Sequence, residues 1–157
     1  MAEPKPATAA PKHVFCASER RAATNLQRPV TYINDRIDKR WTTYIVTPNF
    51  PSYPSGHSTQ SGAAARVLTG MFGTKRFTDT THADHGLPAL APRRFDSFAD
   101  AASEAAISRL YGGIHFSFDN DDGLASGQCI GEAIHDRVTF KDHPGGTPNG
   151  DDRKGGR

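Results

Sequence analysis

No stretch of the 157-residue sequence approaches the ~20 consecutive apolar residues that a membrane span requires. The N-terminus also lacks the apolar core of a secretory signal, so the chain as written reads as soluble, with its compartment open. Cysteine is scarce. Cys16 and Cys129 lie far apart and lack metal-ligand spacing, so they are read as two buried thiols rather than a disulfide. Lys and Arg nearly balance Asp and Glu, 19 against 17, and form no dense basic block, which argues against nucleic acid as a partner. Internal repeats and convincing strand alternation are missing as well. Residues 1–12 hold three prolines and no apolar periodicity, and 141–157 are rich in Gly, Pro, Asp and Lys. Neither end buries enough apolar surface to offset its ordering entropy, so both are expected to be disordered around a single domain over 13–140.

Four helices are expected in that domain. The first runs from about His13 to Gln27 and stops where Arg28 meets Pro29, because the residue before proline is pushed out of the helical region. Residues 29–54, with four prolines among aromatics, read as an ordered and mostly irregular loop. The second helix starts near Ser55 and ends at Gly73, and its small residues allow close packing. After a second long loop over 74–96, a third helix from about Ser97 carries Phe98, Ala101, Ala102, Ala105, Ala106 and Leu110 at helical spacing, and falters at Gly112-Gly113. A fourth runs from about Phe116 to His135 with Leu124, Ile130 and Ile134 inward. The fold class is all-α, a helical bundle with long ordered loops. Such loops inside a small domain tend to be functional.

Three clusters carry chemistry. Arg21 and Arg28, seven apart, fall on one face of the first helix, and a guanidinium presents a planar fork to phosphate-like oxygens. Alone, they are more readily read as solvated surface arginines. Pro54-Ser55-Gly56-His57 opens the second helix. Unpaired N–H groups there attract anions, Ser55 offers a hydroxyl, Gly56 permits close approach of its N–H, and His57 titrates near neutrality. An ordinary N-cap beside an exposed histidine explains the same letters. In the third cluster His115 and Asp119 stand four apart, so the carboxylate can take the proton of Nδ1 and leave Nε2 as nucleophile or ligand. Arg109, six before His115, needs the Gly112-Gly113 break to face the same way. Each segment offers oxyanion donors together with proton or nucleophile chemistry, which favours one shared pocket.

Arg28-Pro29, Pro54-Ser55-Gly56-His57, and Ser108-Arg109 with His115 and Asp119 resemble the three-part signature of the type 2 phosphatidic acid phosphatase and vanadium haloperoxidase superfamily. The second and third parts match its pattern letter for letter, and the similarity spans about residues 14–138. The flanking text is similar to soluble bacterial haloperoxidases. The resemblance implies vanadate as cofactor, with phosphate able to occupy the same site. His115 would bind vanadium through Nε2, and His57 would act as acid and base. Arg21, Arg28, Arg109, Ser55 and the Gly56 N–H would neutralise equatorial oxygens, and Asp119 would orient His115. It implies oxidation of halide by hydrogen peroxide to hypohalous acid, with a small organic molecule as acceptor. The alternatives are an acid phosphatase acting through phosphohistidine at His115, or a non-catalytic piece that retains the pocket. It would also allow a secreted or periplasmic location.

This chain has Arg21 where the family has Lys, and family proteins carry several helices before the first motif. The sequence looks like a C-terminal catalytic half, so a homo-oligomer or a partner is expected over exposed helix faces. Asp79, His82, Asp84 and His85 crowd one loop but read as ordinary polar loop residues. Asp119-Asn120-Asp121-Asp122-Gly123 fails as a calcium loop, since Phe118 and Cys129 would fall at ligand positions. Trp41, Tyr44, Phe50 and Tyr53 could line a substrate approach but are assigned to core packing, although Phe50 stands where haloperoxidases place a residue facing the pocket.

Overall fold

The computed structural model describes residues 25–85 and 90–138. Cys16, Arg21 and the two ends expected not to pack lie outside these residues. Among the described residues, five helices and two paired strands follow one another: α1 (Pro29–Arg36), α2 (Gly56–Phe72), β1 (Phe77–Asp79), α3 (Thr81–Asp84), β2 (Arg93–Phe95), α4 (Phe98–Tyr111) and α5 (Ser117–Arg137). The all-α helical bundle is as expected, and α2, α4 and α5 form its body. Ser55 caps α2 by accepting from the Ser58 N–H, and Ser97 caps α4 by accepting from Asp100.

Three local expectations are overturned. The helix expected to reach Gln27 does not: residues 25–28 are non-helical and Asn25 has φ 42°. A helix begins instead at Pro29, inside the stretch read as irregular. Proline stops a helix that precedes it, yet at the first helical position its missing N–H costs nothing and its fixed φ suits the turn. The 74–96 loop is likewise structured. Phe77 pairs with Phe95 across the β1–β2 ladder, and the Phe77 ring lies 5.4 Å from Phe98 at the start of α4. Three-residue strands are too short for alternation to reveal.

The third correction concerns the core. Ile134 and Leu110, expected to point inward, are 37 % exposed each, and Leu124 and Ile130 are only half-buried. The buried positions of α5 are Asp119, Asn120, Gly123, Gly127 and Gly131, and those of α4 are Ala102 and Ala106. The reason is backbone proximity. A Cβ on Gly123 would stand 2.7 Å from the Ser55 carbonyl oxygen, and one on Gly62 2.7 Å from that of Leu124. At Gly127 it would run into the Thr59 carbonyl, and at Gly131 it would meet the Ala63 carbonyl at 2.9 Å. Helices α2 and α5 approach so closely along three turns that only glycine fits, and the large side chains are displaced to the flanks.

Candidate oxyanion site

The close approach of α2 and α5 sets the position of the chemistry. The Ser55 N–H donates to the Asp119 carbonyl (2.9 Å), tying the N-terminus of α2 to the first turn of α5. His115 stands just ahead of α5, which Phe116 caps, so the contact with Asp119 is made at the helix entry rather than along a helical face. The His115 Nδ1 lies 3.0 Å from Asp119 Oδ2, and both residues are buried. The same oxygen accepts from the Phe116 N–H (3.1 Å) and from the Ser52 hydroxyl. Burial works to raise the Asp119 pKa, but the hydrogen bonds from His115, Ser52 and Phe116 together outweigh it and hold the carboxyl below its ordinary value.

On the other side of the imidazole, Arg28 Nη1 is 3.0 Å from His115 Nε2. Arginine has no acceptor, so Nε2 must present its lone pair and the ring proton must sit on Nδ1. That is the tautomer Asp119 demands, and the two partners specify it from opposite edges. Arg28 is itself fixed. Its Nε donates to the Phe50 carbonyl (2.9 Å) and its Nη1 to that of Ile114 (2.8 Å), while its guanidinium carbon sits 4.8 Å from the Phe50 ring centre. It is 5 % exposed and lies just before α1, not on a long helix. A groove of about 720 Å³ reaches Arg28 and Phe50; neither histidine lines it.

The glycine break between α4 and α5 performs the expected turn. Gly113 has φ 75°, and a Cβ there would meet the Trp41 ring at 2.9 Å, so both backbone and space call for glycine. The Tyr44 N–H holds the Gly112 carbonyl (3.1 Å), and Ile114, 2 % exposed, anchors the chain between Arg109 and His115. Arg109, half-buried at the end of α4, donates from Nε to Ser108 Oγ (3.1 Å). His57 sits exposed on the first turn of α2. Partial burial lowers its pKa from 6.5, and the charge of Arg109, joined by that of His115 when its ring is protonated, lowers it further.

Of the residues singled out from sequence, Arg28, Ser55, His115 and Asp119 are buried and joined in one hydrogen-bonded network. Gly56, His57 and Arg109 border it, and Arg21 lies outside the described residues. Ser52, fully buried, was missed, because a serine between prolines has no spacing that betrays its partner 67 residues on. Asn120 and Ser58, also buried, were missed too. Of the aromatics assigned to the core, Trp41 is half-buried against Gly113, but Tyr44 is 90 % exposed, Phe50 stacks on Arg28, and the Tyr53 hydroxyl donates to Asp122 (2.6 Å). Among the described residues, no cluster of three or more His, Cys, Asp or Glu is arranged to hold a metal ion, Asp79 and its neighbours included.

The donor set fits a four-oxygen anion. Asp119 Oδ2 takes the contacts of His115, Ser52 and Phe116, while its Oδ1 is buried without a hydrogen-bond partner among the described residues; the other groups at the site are arginine, imidazole, hydroxyl and helix-terminal N–H. No helix among the described residues is long and apolar enough to cross a membrane.

The model of the VCPO second helical-bundle domain matches residues 33–142. A vanadium-dependent bromoperoxidase of Ascophyllum nodosum is 33% identical over 119 residues, covering 69% of this chain and 20% of that protein. The solved structure of a bacterial vanadium-dependent iodoperoxidase superposes with a TM-score of 0.70 at 43% identity, over 77% of this chain and 29% of that one. A bacterial vanadium-dependent chloroperoxidase, at 18% identity and a TM-score of 0.63, shares the fold. The chain thus spans about a fifth to a third of the length of these relatives. With its helical bundle and its three motifs in order, the chain belongs to the vanadium haloperoxidase family.

Proposed function

We propose that this chain carries a vanadate-binding pocket that supports oxidation of halide by hydrogen peroxide to hypohalous acid. The single observation behind the reading is the Nε2 lone pair of His115, held by Arg28 on one edge and Asp119 on the other. Arg28 donates to that lone pair, so a ligand at Nε2 would take the place of this contact, and the released Nη1–H would be free to meet the ligand's oxygens. Bound vanadate would supply an electrophilic centre at which hydrogen peroxide becomes reactive toward halide. His115 would hold that centre through Nε2, and Asp119 would keep the proton on Nδ1. Arg28 and Arg109 would offset the negative charge of the oxygens, joined by Ser55 and the Gly56 N–H. His57, with its proton affinity lowered, would be neutral near pH 7 and accept a proton from peroxide. Arg21 would add one more guanidinium.

Vanadate titration followed by peroxide-dependent bromination tests the reading. Bromination that requires vanadate, and is abolished by His115→Ala, is the expected result. Hydrolysis of a phosphate ester, inhibited by vanadate, would reassign the pocket to phosphoryl transfer through His115. Silence in both assays, with vanadate still bound, would leave a chain that retains the pocket without turnover.

A further inference from the structure

Behind Ser55 lies a chain of polar groups that the motifs do not include. Ser58 Oγ is 2.9 Å from Ser55 Oγ and 3.1 Å from the Asn120 side-chain amide, and all three residues are buried. A serine hydroxyl has one proton, so Ser58 cannot donate to both neighbours. If the Asn120 oxygen faces Ser58, Ser58 must donate to it, and the contact with Ser55 survives only if Ser55 gives up its own proton to Ser58. That arrangement turns the Ser55 hydroxyl away from any anion, and it leaves the Asn120 Nδ2 donor buried without a partner. A stranded amide donor is expensive, whereas an under-used carbonyl oxygen is tolerated more readily. Turning the amide over removes the conflict, since the oxygen and nitrogen ends have nearly the same shape.

We infer that Asn120 is a positioning residue: its Nδ2–H donates to Ser58 Oγ, Ser58 donates to Ser55 Oγ, and the Ser55 proton is thereby aimed at the oxyanion. Ser55 Oγ already lies in the path of the Ser58 N–H (3.4 Å), so in this arrangement both contacts from Ser58 approach it as an acceptor and its own proton has no competing protein acceptor. Donors linked in series polarise one another, which strengthens the last of them. Two features keep the relay in register. Gly123 lets α5 approach Ser58, whose Cβ lies 2.8 Å from where a Cβ on Gly123 would stand, and the Ser55 N–H is tied to the Asp119 carbonyl. The inference rests on the oxyanion reading of the pocket and extends it to two residues outside the motifs.

Two measurements on the full chain test it. Without any anion, the Asn120 side-chain amide protons are expected to show nuclear Overhauser contacts to the Ser58 side chain; an amide with those protons turned away from Ser58 overturns the relay. The second is vanadate affinity by calorimetry. Asn120→Asp keeps the shape but accepts only, so Ser58 must donate to it and Ser55 to Ser58. Affinity should then fall about tenfold or more, as for loss of a hydrogen bond to a charged group. In a Ser55→Ala background the same substitution should cost much less, leaving only the effect of its added charge. An equal loss in both backgrounds overturns the relay. If Asn120→Asp does not fold, Asn120→Ala, which removes the donor, takes its place and should lose affinity in the unaltered background but much less in Ser55→Ala. Failure of the unaltered chain to bind vanadate would sink the functional reading instead, and the amide contacts would still report on Asn120.

Discussion

At the residue scale, the site depends on proton placement more than on charge. Lowering the His57 pKa favours the neutral ring, so the folded state binds fewer protons than the unfolded chain just below pH 6.5. The stability associated with His57 is therefore full above 6.5 and is lost as pH falls through the folded value. Following the His57 ring protons by NMR should give a midpoint below 6.5, moving upward in Arg109→Gln because one of the charges lowering it is gone. A midpoint at or above 6.5 in the unaltered chain would remove His57 from the neighbourhood of Arg109. Asp119 runs with the opposite charge but the same slope. Its lowered pKa stabilises the fold above about pH 3.8, and that contribution disappears as pH drops through the folded value. Ser52 is one source of this shift. Ser52→Ala, which removes a buried donor to a carboxylate, should cost about 1.5–3 kcal/mol in urea denaturation. A loss within about 0.5 kcal/mol, typical of a surface change, would show that the Ser52 contact carries no weight.

The element scale is governed by how near two backbones can come. Asp119, Gly123, Gly127 and Gly131 recur every four residues along α5, and the glycines place it against α2. Gly127→Ala puts a methyl group into the Thr59 carbonyl, and neither backbone can yield without moving Ser55 or Asp119. The expected cost is about 1–3 kcal/mol, the usual penalty for overpacking, against a helix-propensity gain of about 1 kcal/mol at an open site. Gln128→Ala, one position on and exposed, should stay within about 0.5 kcal/mol. Thermal denaturation of the two side by side decides; a stabilised Gly127→Ala would mean the helices are further apart than described. The same packing explains why Leu124, Ile130 and Ile134 were misplaced in the sequence reading. Apolar size usually marks the core, but here the smallest residues occupy it.

For the whole molecule, the pocket joins segments from residue 28 to residue 120, so occupancy should be felt by the entire fold. Arg28 alone bridges the 50–51 loop and the 114–115 turn. A ligand that binds only the folded chain adds about 2.7 kcal/mol at a hundredfold excess over its Kd. Vanadate, and phosphate more weakly, should therefore raise Tm by several degrees, and Arg28→Ala should erase the shift. An unchanged Tm at saturating vanadate would mean that the segments do not form an anion site. Leu68, Ile107, Leu110 and Ile134 remain 36 to 38 % exposed on α2, α4 and α5, and we propose that another copy or a partner covers such faces. Sedimentation velocity giving a monomer across a wide concentration range would argue against self-association.

Sequence alone determined the all-α class and the three motifs, and it singled out Arg28, Ser55, His57, Arg109, His115 and Asp119 as a candidate constellation, because helical periodicity and reactive side chains are written locally. It also located the glycine break that turns the chain toward His115. The structure decided what depends on distant atoms: which nitrogen of His115 bears the proton, that Ser52 shares Asp119, that Asn120 and Ser58 stand behind Ser55, and that proline 29 opens a helix. Those are properties of contacts between segments tens of residues apart, and such contacts come into being only when α2 and α5 close on one another.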